Sequence, residues 1–150
     1  MTEVTFYHLT ETTVDEALPG LVEKALARGW RVTVQADGDT ARDDIDALLW
    51  SHDQTAFLPH GRDGDEPAAD HPIYVTTTPA NPNASQMRFV INRCSQPDDM
   101  QAYARVAMMF DGGSGDTVHH ARENWKQLNS EGHDLTYWKQ NAEGRWERAA

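Results

Sequence analysis

The chain has 150 residues, with 24 Asp and Glu set against 13 Lys and Arg, giving a formal net charge of −11 at pH 7. That length suits one domain, residues 1–150, with a real core, and 39% hydrophobic residues with five tryptophans argue against wholesale disorder. The charge opposes non-specific binding to DNA or anionic membranes, since both reward a broad basic surface, but it leaves room for a small local basic patch.

The opening residues, "MTEVTFYHLTET", lack the basic and apolar regions of a secretory signal. No apolar run approaches the ~18–20 residues that span a bilayer. The lone cysteine, Cys94, has no internal disulfide partner, so a cytoplasmic protein without a membrane role is expected. Glu3–Leu9, rich in β-branched and aromatic residues, predicts a first strand. Thr12 and Thr13 offer N-caps for a helix ending near Gly29, with Pro19 and Gly20 predicting either a kink or a later start.

Trp30–Ala36 reads as the next strand, and Asp39 or Thr40 as the cap of a helix through Trp50 whose apolar side carries Ile45, Leu48 and Leu49. Further strands are predicted at "TAFLPH" (55–60), Ile73–Thr78 and Met87–Asn92. Pro97, Asp98 and Asp99 appear at the head of a helix reaching about Phe110, because Met100, Tyr103, Ala104, Ala107 and Met108 fall at helical spacing. "DGGSGD" breaks the chain before a last helix, Thr117 to about Ser130, and the tail predicts a strand or a hairpin around Ala142–Gly144. Alternating strands and helices describe a layered α/β domain with a largely parallel sheet.

Most chemically suggestive stretches dissolve on inspection. "FDGGSGDTV" precedes a helix, but it lacks the Lys-Ser/Thr of a P-loop, and Asp111 and Asp116 repel phosphate. A cap at Ser114, Asp116 or Thr117 accounts for it better. His119 and His120 are adjacent and point apart, so they do not form a zinc pair. The acidic loop between His60 and His71 lacks the ligand order of an EF-hand. Cys94 sits in no nucleophile signature, and Ser51-His52-Asp53 offers triad residue types without triad geometry. No catalytic residue, metal or cofactor is expected.

The last helix differs. Val118, Arg122, Trp125, Lys126 and Asn129 fall along one side, with Ala121, Leu128 and part of Trp125 turned toward the core. A guanidinium fork, a second cation and an aromatic wall suit a short acidic peptide ending in an apolar residue and a free carboxylate. The alternative is an ordinary solvated helix in which Glu123 pairs with Lys126.

Three blocks then carry a resemblance through nearly the whole chain. They are "TFYHL" followed by "TTVDEAL"; "RGWRVTVQADGD…ARDDIDALLWSHDQTAFLPHG"; and "RVAMMFDGG…ARENWKQLNSEGHDLTYWKQ". In that order and spacing they resemble the chi subunit family of bacterial DNA polymerase III. The resemblance implies a Rossmann-like, three-layer α/β/α fold and a non-catalytic accessory role in the polymerase holoenzyme. It implies binding to the acidic C-terminal tail of single-stranded DNA-binding protein, so that the clamp-loader assembly meets coated template and DNA only indirectly.

The family's Ala-Arg-acidic-x-aromatic-Lys pattern falls on Ala121, Arg122, Glu123, Trp125 and Lys126, with Trp125 in place of the more familiar Tyr. Val118 stands where a family cation is expected one turn earlier, and protonated His119 or His120 is the candidate substitute. Phe110 is either an apolar neighbour for the tail's terminal ring or a core residue. A psi-subunit contact, or one with another clamp-loader component, is implied at Trp50, Phe57, Pro59 and His60. The chain is expected to be a monomer within the larger complex. Two rivals remain: a nucleotide-binding enzyme remnant, and a module recruiting a protein through Trp50 and Phe57 without tail binding.

Overall fold

A computed structural model describes residues 2–51 and 59–149. Among these residues eight strands form a single sheet: β1 (Glu3–Leu9), β2 (Val32–Gln35), β3 (His60–Arg62), β4 (Ile73–Thr76), β5 (Met87–Ile91), β6 (Arg105–Asp111), β7 (Asp134–Gln140) and β8 (Trp146–Arg148). Their spatial order is β3-β4-β2-β5-β6-β1-β7-β8, parallel throughout except for the β7–β8 hairpin. Three α-helices accompany it among the described residues: α1 (Val14–Ala27), α2 (Asp39–Ser51) and α3 (Gly115–Ser130).

The layers follow from strand alternation. On β6, Ala107 and Met109 join one buried cluster, with Leu18 and Val22 of α1 and Ile45 and Leu49 of α2. Val106, Met108 and Phe110 face the other way, joining Val4 and Phe6 of β1 and Ala121 and Leu128 of α3. Helices on both faces of a mostly parallel sheet give the expected three-layer, Rossmann-like α/β fold.

Local chemistry sets the helix ends. Thr13 closes a capping box on α1: its hydroxyl accepts from the Glu16 N–H at 3.2 Å, and the Glu16 carboxylate accepts from the Thr13 N–H. The helix is assigned without interruption from that cap through Pro19. α2 begins at Asp39, with the Arg42 N–H donating to the Gly38 carbonyl at 2.9 Å, one residue before the expected caps.

Two expectations need correction. The segment expected to be helical from Pro97 to Phe110 forms a short 3-10 turn, Met100–Ala102, followed by β6. β6 lies between β5 and β1 with apolar layers on both faces, so its side chains are apolar at nearly every position and show no strand period. The spacing of Met100, Tyr103, Ala107 and Met108 fits a helix only by coincidence. Of the strand expected over 55–60, residues 55–58 lie outside the described residues, and β3 shares only His60 with it, running on through Arg62 where a polar loop was expected.

The hairpin is held in place by Gln140, whose side-chain carbonyl accepts from the N–H groups of Thr10, Glu11 and Thr12 at 3.0–3.1 Å. Gly144 turns the hairpin at φ +78°, a conformation that suits glycine. Parallel pairing with β1 then sets Tyr137 opposite Phe6, and Trp138 opposite Tyr7.

Candidate functional site: an aromatic groove on the last helix

α3 starts at Ser114, whose hydroxyl caps the Thr117 N–H, so the cap is the first of the expected candidates. The glycine-rich turn before it is satisfied internally. The Gly112 N–H donates to the Leu9 carbonyl at 2.7 Å, and the Gly113 N–H donates to the Asp111 carboxylate at 2.9 Å. Those N–H groups are occupied within the protein. Gly112 also lies against the His8 imidazole so closely that a Cβ there would overlap the ring.

Ala121 and Leu128 are buried, Val118 and Trp125 are half-buried against the same core, and Arg122 and Lys126 are exposed. Trp125 meets Phe6 edge-on at 5.3 Å and Tyr137 at 5.7 Å, while Tyr137 stacks on Phe6 at 6.1 Å. Between these rings opens a cavity of about 330 Å³ with largely apolar walls, lined by Arg122, Trp125, Lys126, Tyr137 and Ala149.

Arg122 makes no hydrogen bond or ion pair among the described residues. Lys126 pairs with Glu123 at 3.4 Å, the local contact expected of a solvated helix, with both side chains more than half exposed. The two cations are therefore unequal: one is free at the pocket mouth, the other is shared.

Beneath the groove, His8 Nδ1 and the Tyr137 hydroxyl are hydrogen-bonded at 2.7 Å. Burial, with Lys139 and Arg122 nearby, holds the His8 imidazole below its usual pKa. Burial raises the Tyr137 phenol, and Arg122 opposes that shift. Phe110 is a core residue, 1% exposed, with its ring 4.9 Å from His8 and 6.1 Å from Tyr137. It supports the floor and does not line the opening.

Val118 adds no charge, and neither neighbouring histidine lines the cavity. His120 Nε2 lies 3.0 Å from the Cys94 carbonyl, and His119 is exposed. Tyr137 escaped sequence reasoning. The available signal was the shared face of Leu135 and Tyr137 in "DLTYWKQ", but only the β1 pairing brings that face to α3.

The other candidate surface lies at the opposite edge of the sheet and on its opposite face. Trp50, at the end of α2, is 58% exposed and is the only exposed large hydrophobic residue among those described. Its ring sits 4.6 Å from that of His60. The His60 side chain is buried, with Nε2 3.0 Å from an Asp46 carboxylate oxygen. Arg62 pairs with Asp43 at 3.0 Å, and Arg42 bridges to Asp63. Pro59 is exposed, while Phe57 lies outside the described residues.

Elsewhere, burial pushes the Cys94 thiol up to about 12, which leaves no thiolate for nucleophilic work near neutral pH. Among the described residues no cluster of His, Cys, Asp and Glu could hold a metal ion, and no helix is long and apolar enough to cross a membrane.

Residues 1–136 match the family model described as "DNA polymerase III chi subunit, HolC". The chain is 27% identical over 135 residues to the DNA polymerase III subunit chi of Haemophilus influenzae, a match covering 87% of this chain and 92% of that protein. It is 25% identical over 92 residues to a Rickettsia prowazekii protein named "Probable DNA polymerase III subunit chi", covering 61% of this chain and 56%, little more than half, of that relative.

Proposed function

The chain belongs to the DNA polymerase III chi subunit family, and from that premise we propose that it is a non-catalytic accessory subunit that binds the acidic C-terminal tail of single-stranded DNA-binding protein. It acts as a single cytoplasmic domain, a monomer within the clamp-loader assembly, and the α3 groove reaches DNA only through the coated template. The observation that carries this reading is the unpaired Arg122 guanidinium at the mouth of an apolar cavity between Trp125 and Tyr137.

Each part has a task. The tail's terminal apolar side chain enters the cavity, where burial of a large side chain is worth about 1.5–3 kcal/mol. Its α-carboxylate takes the two parallel N–H donors of Arg122, the strongest single contact because both partners are charged. Lys126 draws acidic side chains further up the tail, weakly, because it is exposed and shared with Glu123. Trp125 offers an indole N–H where a tyrosine would offer a hydroxyl, while its ring supplies the apolar wall.

The second surface is assigned to the assembly. Exposed Trp50, together with exposed Pro59, docks a psi subunit or another clamp-loader component, and the His60 ring lies against Trp50. The position of the two surfaces toward opposite edges of the sheet supports a reading in which both partners are held together.

Fluorescence polarisation with the labelled tail peptide tests the reading. Saturable binding to the full chain is expected, with at least a tenfold loss on deleting the peptide's last residue. Equal affinity for the truncated peptide would contradict it.

A further inference from the structure

A second groove lies on the other face of the sheet, apart from α3. Here α1 packs over β2 and β6, and α2 over β3 and β4, leaving an open channel beside α1 at the β1–β7–β8 end. Two adjoining cavities, of about 200 and 370 Å³, share Tyr7, Leu21, Lys24 and Arg105. Trp30 closes one end, and Trp138 and Trp146 line the other.

In a protein of net charge −11 this channel is locally cationic. Lys24, in the last turn of α1, and Arg28, its C-cap, stand one turn apart, both exposed, and neither makes an ion pair among the described residues. The Arg28 guanidinium lies over the Trp30 ring at 4.9 Å, and Arg105 lies over it at 5.7 Å. Arg105 pairs with Glu3 at 3.1 Å, yet its Nε is buried without an acceptor. Trp146 meets Tyr7 edge-on at 5.2 Å. Trp138 and Trp146 both lie beyond the residues that match the family model.

We propose that this channel binds a nucleotide unit, its phosphate held by Lys24 and Arg28 and its base stacked among Trp30, Tyr7 and Trp146. Cations interleaved with aromatic rings are what such a unit requires: a charge for the phosphate, and a π-face or a guanidinium plane for the base. The floor disfavours a peptide. β1 is paired on both sides, by β6 and β7, and β7 is paired by β1 and β8, so only the outer edge of β8, at the rim of the channel, has a ladder free for a peptide main chain. The protein's overall negative charge is screened over ~10 Å at 0.1 M salt, so the local cations govern contact. The unit comes either from a free nucleotide or from one residue of a single strand, which share this chemistry.

The test is an NMR titration of the full 15N-labelled chain, reading its five indole N–H signals at about 0.1 M salt. The probes are thymidine monophosphate, an oligothymidylate of about fifteen residues, and a glutamate-rich peptide. Saturable shifts of the Trp30 and Trp146 signals are expected. The paired charge reversal Lys24→Glu and Arg28→Glu, on an exposed helix face, should weaken them at least tenfold, and Arg122→Ala should leave them unchanged. Shifts with both nucleic probes identify a free-nucleotide site; shifts with the oligomer alone identify a strand site. The proposal is overturned if neither nucleic probe moves these signals, if the charge reversal leaves affinity unchanged, or if only the acidic peptide moves them.

Discussion

The α3 groove and the Trp50 corner are both aromatic surfaces flanked by charge, and they differ in where that charge is spent. At the corner, Asp46 faces His60, Arg62 faces Asp43, and Arg42 faces Asp63, so both guanidiniums have acidic partners beside an exposed indole. In the groove the rings satisfy one another and Arg122 is left over. On the proposed reading, the groove with its free cation is expected to select an anion, and the corner with its matched cations an apolar partner. Counting charges in sequence would not separate the two, because both segments contain Arg beside Trp or His.

Crossed substitutions give the largest expected effect on that distinction. Arg122→Ala removes the free cation and should weaken tail binding roughly 10- to 100-fold, the range for a charged hydrogen-bonded pair worth about 1.5–3 kcal/mol. Trp50→Ala should leave tail affinity unchanged and abolish capture of the clamp-loader partner. Polarisation with each purified variant reads the first half and co-purification with psi reads the second. If Trp50→Ala lost the tail and Arg122→Ala kept it, the assignment of the two surfaces would be reversed.

A smaller change is expected at Lys126. Because its ammonium is exposed and shared with Glu123, Lys126→Ala should reduce tail affinity only about two- to fivefold, with the loss shrinking as salt rises. A loss matching that of Arg122→Ala would show that the two cations are not unequal.

The smallest effect concerns pH. His8 titrates lower in the folded chain than its ordinary 6.5, chiefly through burial and secondarily through Lys139 and Arg122; it is bonded to Tyr137 and ringed by Phe110. Between the lowered native value and 6.5 the unfolded state binds more protons, so His8's contribution to stability declines as pH falls through that window and is flat below it. Urea midpoints measured from about pH 7.5 down to pH 5.5 should therefore fall less in His8→Gln than in wild type. Parallel declines would remove His8 from the account.

These features were unequally legible in the sequence. α3 was legible because its core side repeats at helical spacing while Arg122 and Lys126 fall on the polar side, so both the element and its exposed cations follow from one pattern. β6 was illegible for the opposite reason: Val106, Met108 and Phe110 face one core and Ala107 and Met109 the other, so no face is polar and no period survives. Tyr137 was missed because its neighbours come through strand pairing across more than a hundred residues of chain, opposite Phe6. The exposure of Trp50 depends on where α2 ends against β3, which the apolar pattern of α2 does not encode.

The central claim is that the free guanidinium of Arg122 receives the tail's α-carboxylate, and a double-mutant cycle tests it most directly. Tail affinity is measured for wild type and Arg122→Ala, each with a free and a C-terminally amidated peptide. Amidation should weaken binding at least tenfold in wild type and leave it nearly unchanged in Arg122→Ala, because the contact is already gone. Equal losses in both proteins would place the carboxylate elsewhere and contradict the account.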